Sequence, residues 1–157
     1  MVKKIIAYHG TDREFDSFTL PELTPGTNFI AGNMGIFFSE SKEIAKLFCK
    51  EKWYLRTSRF KENARLITAE LTLINPRLIY PIEHASKRTK EQHILYRKYL
   101  QTYYDHDCII IQKSRGEKFA CSLDGQKLPF KCEYGAQQFV MFFPQSISIQ
   151  KVEYIKR

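Results

Sequence analysis

The chain has 157 residues, with 43% hydrophobic and 14% aromatic side chains. That length suits one domain over residues 1–157 with one sizeable core, and that composition excludes a disordered or low-complexity chain. Its 25 Lys and Arg against 17 Asp and Glu give a net charge of +8, which points to nucleic acid, an acidic protein or a polyanionic ligand, or to no more than a solubilising surface.

Residues 4–8 form a short β-rich run that ends at Tyr8-His9, and Gly10, Thr11 and Asp12 predict its break. Residues 19–34 carry Pro21, Pro25, Gly26, Asn28, Gly32 and Asn33, a loop long enough to read as a lid or clamp over a ligand. Ile36-Phe37-Phe38 follows as a short apolar strand. Ser39 or Ser41 then predicts a helix N-cap, with Glu40 and Glu43 at the positive helix end. Ile44, Leu47 and Phe48 recur at helical spacing and predict a helix of roughly three turns. Residues 66–74 alternate as a strand does and stop at Asn75-Pro76.

Thr89 followed by Gln92 predicts a capping box. The helix it opens has an apolar stripe of Leu95, Tyr96, Tyr99, Leu100 and Tyr103, with Lys90, Arg97 and Lys98 among its polar positions. Cys108-Ile109-Ile110-Ile111 reads as a buried strand, and residues 113–136 as a loop or irregular hairpin. Gln138 to Phe143 is the last strong strand, ended by Pro144, and residues 147–155 alternate again. The sum is an α+β fold of many short strands and two clear helices, without regular βαβ alternation.

Four cysteines, at 49, 108, 121 and 132, form no C-x-x-C pair, and none stands at metal-ligand spacing with a histidine. They read as buried small hydrophobes in a reducing cytosol, so no metal is expected and the expected location is cytoplasmic. Met1-Val2-Lys3-Lys4-Ile5 lacks the apolar stretch of a secretory signal, and no run approaches a membrane span.

Phosphate-loop, dinucleotide-fingerprint, zinc-protease and serine-hydrolase signatures are all missing from the sequence. His84 and His93 read as exposed, and His106, between Asp105 and Asp107, as a turn residue. His9 differs because it ends a strand and precedes Gly10, whose missing side chain lets a ligand approach the backbone. Two readings are open there. One is a satisfied turn histidine. The other is a site where an imidazole and bare backbone groups meet a ribose hydroxyl and a carboxamide. Phe37 and Phe48, eleven residues apart, are either core aromatics or two rings flanking a flat heterocycle.

Taken together, Tyr8-His9-Gly10-Thr11, Gly35-Ile36-Phe37-Phe38-Ser39 with its following helix, and Gln138-Phe139-Val140-Met141-Phe142 resemble three motifs of the ADP-ribosyltransferase family. The resemblance is to the diphtheria-toxin and poly-ADP-ribose polymerase branch and its small phage and mobile-element relatives. It implies a split, mainly antiparallel sheet and NAD as substrate. It also implies transfer of ADP-ribose to a protein or nucleic-acid acceptor by a monomeric protein, acting in its own cytoplasm or as a toxin delivered to a host. By resemblance, His9 holds the adenosine-side ribose, supported by Thr11, and Gly10 holds the nicotinamide amide through its backbone. Phe37 and Phe48 flank the nicotinamide, Ser39 belongs to the binding set, and the 19–34 loop covers the dinucleotide.

Three departures from the family pattern shape the expectation. Both ring positions are Phe where Tyr is usual, and Ala45 stands where the polymerases have an amide-binding Ser. Gln138 replaces the catalytic Glu. A neutral amide accepts a hydrogen bond but supplies no full charge to an oxocarbenium-like centre. Slowed chemistry or none, a mechanism that leans on positioning, and a carboxylate from the substrate or from Glu133 are all open, and single transfer is expected rather than chain elongation. The alternative is a weak or inactive module that binds NAD, ADP-ribose or a partner. For a nucleic-acid acceptor of the transferase, Lys87, Arg88, Lys90, Arg97 and Lys98 are the candidate patch, with Tyr96, Tyr99, Tyr103 and Tyr104 close by and read mainly as helix core. A third reading, nucleic-acid binding without an NAD pocket, rests on charge alone.

Overall fold

The structure, a computed structural model, describes residues 2–20, 34–52, 58–80, 89–113, 122–123, 126–127 and 135–156. In chain order the elements are β1 (Lys3–Thr11), β2 (Ile36–Ser39), α1 (Lys42–Leu47), β3 (Arg65–Leu73), β4 (Pro76–Ile79), α2 (Lys90–Tyr104), β5 (Cys108–Ile111), β6 (Ser122–Leu123), β7 (Gln126–Lys127), β8 (Gln138–Met141) and β9 (Ile147–Tyr154). Seven strands make one sheet in the order β4-β5-β8-β2-β1-β3-β9, while β6 and β7 pair by themselves. Every neighbouring pair in the sheet is antiparallel except β4 and β5, which α2 connects as parallel strands. The class is α+β.

The strand junctions are unequal. β1 pairs with β3 over nine positions, from Lys3–Leu73 to Thr11–Arg65, but with β2 at one, Tyr8–Ser39. The sheet thus has a three-strand part and a four-strand part that share a single rung. Contrary to the sequence pattern, β1 does not break at Gly10. Its pairing with Leu66 and Arg65 carries it through Gly10 and Thr11, because a ladder partner outweighs the local turn preference of these residues.

Two apolar clusters occupy the two faces. Ala7, Phe18, Ile36, Phe38, Ile67, Ala69, Leu71, Phe139 and Met141 belong to the first, which draws on both parts of the sheet. Met34, Ile79, Leu100, Ile109, Ile111, Val140 and Phe142 form the second, on the face that α2 covers. Strand β8 lies between β5 and β2 and is buried along its whole length, as a central strand covered on both faces must be.

The helices are capped as their sequences predict. Ser41 Oγ accepts from the Ile44 N–H, and Thr89 and Gln92 close a reciprocal capping box. Yet α1 is only six residues long, not three turns, and Phe48 is its C-cap. The predicted stripe of α2 points inward only in part: Leu100 is buried and Tyr96 packs on the second cluster, with His93 and Arg97 buried beside them, whereas Leu95, Tyr99 and Tyr103 face outward. His93 is therefore core, not surface.

Asn75 and Asp107 tie the end of α2 to the sheet. The Asp107 carboxylate accepts the Ile74 N–H at 2.8 Å and the Asn75 N–H at 2.7 Å, while Asn75 Nδ2 donates to the Tyr104 and Asp105 carbonyls. The chain turns there without ending the sheet, and β4 begins at once at Pro76. Most of the 19–34 loop, His84, Lys87, Arg88, Cys121, Cys132 and Glu133 lie outside the described residues. Cys49 and Cys108 are buried free thiols, and no helix among the described residues is long and apolar enough to cross a membrane.

Candidate functional site

Three stretches far apart in sequence meet on three adjacent strands. His9, Gly10 and Thr11 end β1, Phe37 and Ser39 lie on β2, and Gln138 opens β8, in the order β8-β2-β1. The register sets Tyr8 opposite Ser39 and Ser39 opposite Gln138, and Ile111 continues the row on β5. Residues opposite one another share a face, so Tyr8, Ser39 and Gln138 stand side by side. Tyr8 is a member of this row that the motifs alone do not reveal. Glu40 fixes the start of β8: its N–H donates to the Gln137 carbonyl at 3.0 Å and its carboxylate accepts the Gln137 N–H at 2.9 Å. Both Ser39 and Gln138 are buried, Gln138 at 4% exposure.

His9 sits one pleat step away from Tyr8 and faces the other side. Its ring packs edge-on to Phe18 at 5.0 Å and tilted against Phe38 at 5.5 Å, with Phe15 further out at 6.5 Å. Nδ1 lies 2.6 Å from the Phe37 carbonyl oxygen. A carbonyl only accepts, so Nδ1 carries the proton and Nε2 is a bare acceptor. Burial lowers the imidazole pKa, against the opposing pull of the Phe37 carbonyl, and keeps the ring neutral. Among the described residues Nε2 has no hydrogen bond, and it is not one of the sealed polar atoms. A neutral acceptor of this kind is what a ribose hydroxyl needs.

Gly10 has a different local reason from the one its sequence suggests. A Cβ there would run into the Ala45 carbonyl oxygen and come within 2.8 Å of Cys49 Sγ. The missing side chain seats α1 against β1, and the helix face of Gly10 is closed to a ligand. What stays distinctive is the strand edge, since beyond Tyr8 the β1–β2 ladder has no further pair. Ala45, the position where a Ser was expected to matter, contributes its backbone carbonyl to this packing. Cys49 Sγ–H lies 3.3 Å from the Arg65 carbonyl and 3.9 Å from that of Thr11, and burial pushes its pKa up to about 11. It is a structural thiol, not a nucleophile.

Thr11 is buried and its Oγ1 already accepts the Arg13 N–H at 3.1 Å. Its cross-strand partner Arg65 is a residue that sequence reading missed. Arg65 is only 5% exposed, and its Nε and Nη2 are sealed from solvent without a hydrogen bond. The guanidinium carbon lies 5.8 Å from the Tyr154 ring. A buried cation with open donors is costly unless an anion meets it, and a guanidinium fork suits a phosphate. The available signal in sequence is Arg65 itself, a charge heading an otherwise apolar alternating strand.

Phe37 packs against the second cluster, below α2, and Phe48 is half-buried at the end of α1. A groove of ≈ 480 Å³ opens between β1 and the β5–β8 part of the sheet, lined by Lys3, Ile5, Glu40, Ile110, Gln137 and Phe139 among others. None of the seven predicted residues lines it. It touches the site through Glu40 and Gln137, the chain neighbours of Ser39 and Gln138. No group of three His, Cys, Asp or Glu among the described residues is arranged to hold a metal ion.

No protein-family model matches the chain, and no curated protein does either.

Proposed function

We propose that the chain is a mono-ADP-ribosyltransferase that binds NAD across the junction of β1 and β2 and passes ADP-ribose to a macromolecular acceptor, protein or nucleic acid. The observation that carries this reading is the convergence of the three motif segments on β8-β2-β1, with His9 Nε2 left as a neutral acceptor. The single-rung junction suits the split sheet that the sequence resemblance implies. Sheet pleat separates His9 from Gln138, so one ligand touches both by crossing the sheet where the β1–β2 ladder has ended. The adenosine-side ribose then meets His9, the diphosphate meets Arg65, and the nicotinamide end lies toward Phe37, Ser39 and Gln138.

In the reaction the bond between ribose C1′ and the nicotinamide nitrogen breaks, and nicotinamide leaves with the electron pair. An acceptor oxygen or nitrogen bonds to C1′ and gives up its proton. The chain's part is positioning and electrostatics. Gln138 orients a ribose hydroxyl through its amide oxygen, without the charge that a carboxylate adds. One such transition-state contact is worth about 3–4 kcal/mol, so turnover is expected to be slow. Incubation with NAD labelled in the adenylate portion, with protein and nucleic-acid acceptors, tests the reading. Labelled acceptor and free nicotinamide support it, and neither product appearing over hours at high enzyme sinks it.

The neutral, buried Gln138 also favours a second reading, a module that binds NAD or ADP-ribose without turnover. Binding without nicotinamide release selects it.

A further inference from the structure

α2 carries apolar side chains on both sides, with Leu100 and Tyr96 packed on the second cluster. Its inner side buries His93, Arg97 and Leu100, while Leu95, Tyr99, Tyr103 and Tyr104 on its outside are 65%, 47%, 73% and 54% exposed. Positions 95, 99 and 103 are four residues apart and form one row on the helix. The rings are not scattered. Tyr99 lies 5.1 Å from Tyr103 and 5.5 Å from Tyr104 between centroids, and the Tyr99 and Tyr104 hydroxyls are 3.2 Å apart. Tyr104 in turn stacks on His106 at 6.0 Å and 26°.

The cluster is also held in place. His106 bonds the Asn75 carbonyl through Nδ1 at 2.9 Å, and Asn75 Nδ2 grips the backbone carbonyls of Tyr104 and Asp105. Four rings are thus ordered on a solvent-facing surface before any partner arrives. Apolar surface grouped in this way marks an interaction site.

We propose that this outer face of α2 is a stacking platform for single-stranded nucleic acid, on an element outside the strands that carry the candidate NAD site. Aromatic faces take any base, and a single strand offers bases that a duplex hides. Lys98 is exposed beside Tyr99, and the net charge of +8 attracts a polyanion. The same charge opposes a second copy of the chain as the occupant, because like-charged molecules repel.

The test is fluorescence anisotropy with a labelled oligothymidylate and with a duplex of equal length, over a salt series. The variants are Tyr99→Ala/Tyr103→Ala/Tyr104→Ala and the matching triple Phe. The wild type is expected to prefer the single strand. The triple Ala variant loses about tenfold or more in affinity, one stacked base or better, at an unchanged salt slope and unchanged helical circular dichroism. The triple Phe variant stays within about twofold, because its rings still stack. Three results overturn the proposal. These are equal affinity of wild type and triple Ala, equal affinity for single strand and duplex, and self-association that the triple Ala variant abolishes while oligothymidylate binding stays the same.

Discussion

The Nδ1–H of His9 donates to the carbonyl of Phe37 at 2.6 Å, across strands that share a backbone ladder only one residue earlier, at Tyr8 and Ser39. This side-chain bond does the work of the next rung, and it decides which nitrogen of His9 is left for a ligand. Its energetic and functional consequences can be measured separately.

Acid should weaken both the fold and the site through His9. Its pKa in the folded protein is lowered below the ordinary 6.5. The unfolded chain therefore takes up the proton first as pH falls, and stability from this residue, full above the unfolded pKa, declines below it. Thermal melts between pH 7.5 and pH 5 should show a steeper loss for wild type than for His9→Asn, whose amide still donates to Phe37. A protonated Nε2 no longer accepts, so NAD affinity, which follows the folded protein's own lowered pKa, should fall at lower pH than stability does. Parallel melting curves for the two proteins would contradict the neutral buried imidazole.

Gly10→Ala should destabilise the protein by about 2–3 kcal/mol, the cost of overpacking against backbone that has no rotamer to change. The obstacle is the Ala45 carbonyl, not a flexible side chain. Urea denaturation gives the value. A loss under about 0.5 kcal/mol, within the ordinary range of surface changes, would mean that α1 does not rest on β1 as described.

Arg65 should behave as a functional residue does, costing stability while aiding binding. Arg65→Met removes a buried cation with two unmet donors and keeps most of the volume, so the ligand-free protein should hold its stability or gain about 1–2 kcal/mol. ADP-ribose affinity should drop about tenfold or more, as loss of a charge-assisted pair at a phosphate does. Adenosine, which lacks the diphosphate, should be unaffected. A destabilised variant with normal ADP-ribose affinity would assign Arg65 to packing on Tyr154 instead.

Asp107→Ala should cost about 2–3 kcal/mol, because two part-buried backbone N–H groups lose a charged acceptor. Asp107→Asn keeps one carbonyl oxygen and should lose roughly half as much. Chemical denaturation of both variants checks the order. If Asn and Ala prove equal, the two bonds are not independent.

Local signals are legible in the sequence. Thr89 and Gln92 cap α2, Ser41 caps α1, and Cys108–Ile111 is a buried strand, since each depends on residues a few positions apart. Non-local facts were not readable. β1 runs through Gly10 because β3 holds it there, and Gly10 is small because a helix carbonyl fills its place. The exposed tyrosines of α2 follow from burial of Arg97 and His93, which no apolar stripe announces. The same holds for the site. Its His, Phe and Gln positions stand in short motifs, whereas the Tyr8–Ser39–Gln138 row and the neighbourhood of Thr11 and Arg65 exist only once the strands pair.

Turnover turns on the residue at 138. If the chain is a transferase, Gln138→Glu should raise nicotinamide release by restoring a charge at the developing oxocarbenium, up to the roughly 10²–10³-fold that one such contact supplies. Gln138→Ala should abolish it. The Glu carboxyl would sit where Gln138 is buried beside Ser39, so folding of each variant is checked by melting. Identical release rates for Gln, Glu and Ala would remove this position from the chemistry.

The most direct measurement is a crystal structure with NAD bound. The account predicts the adenosine-side ribose hydroxyl at His9 Nε2, the diphosphate within hydrogen-bond reach of Arg65, and the nicotinamide end on the Phe37, Ser39 and Gln138 side of the β1–β2 junction. NAD bound away from that junction, or crystals at saturating NAD that hold none while calorimetry detects no binding, would contradict it.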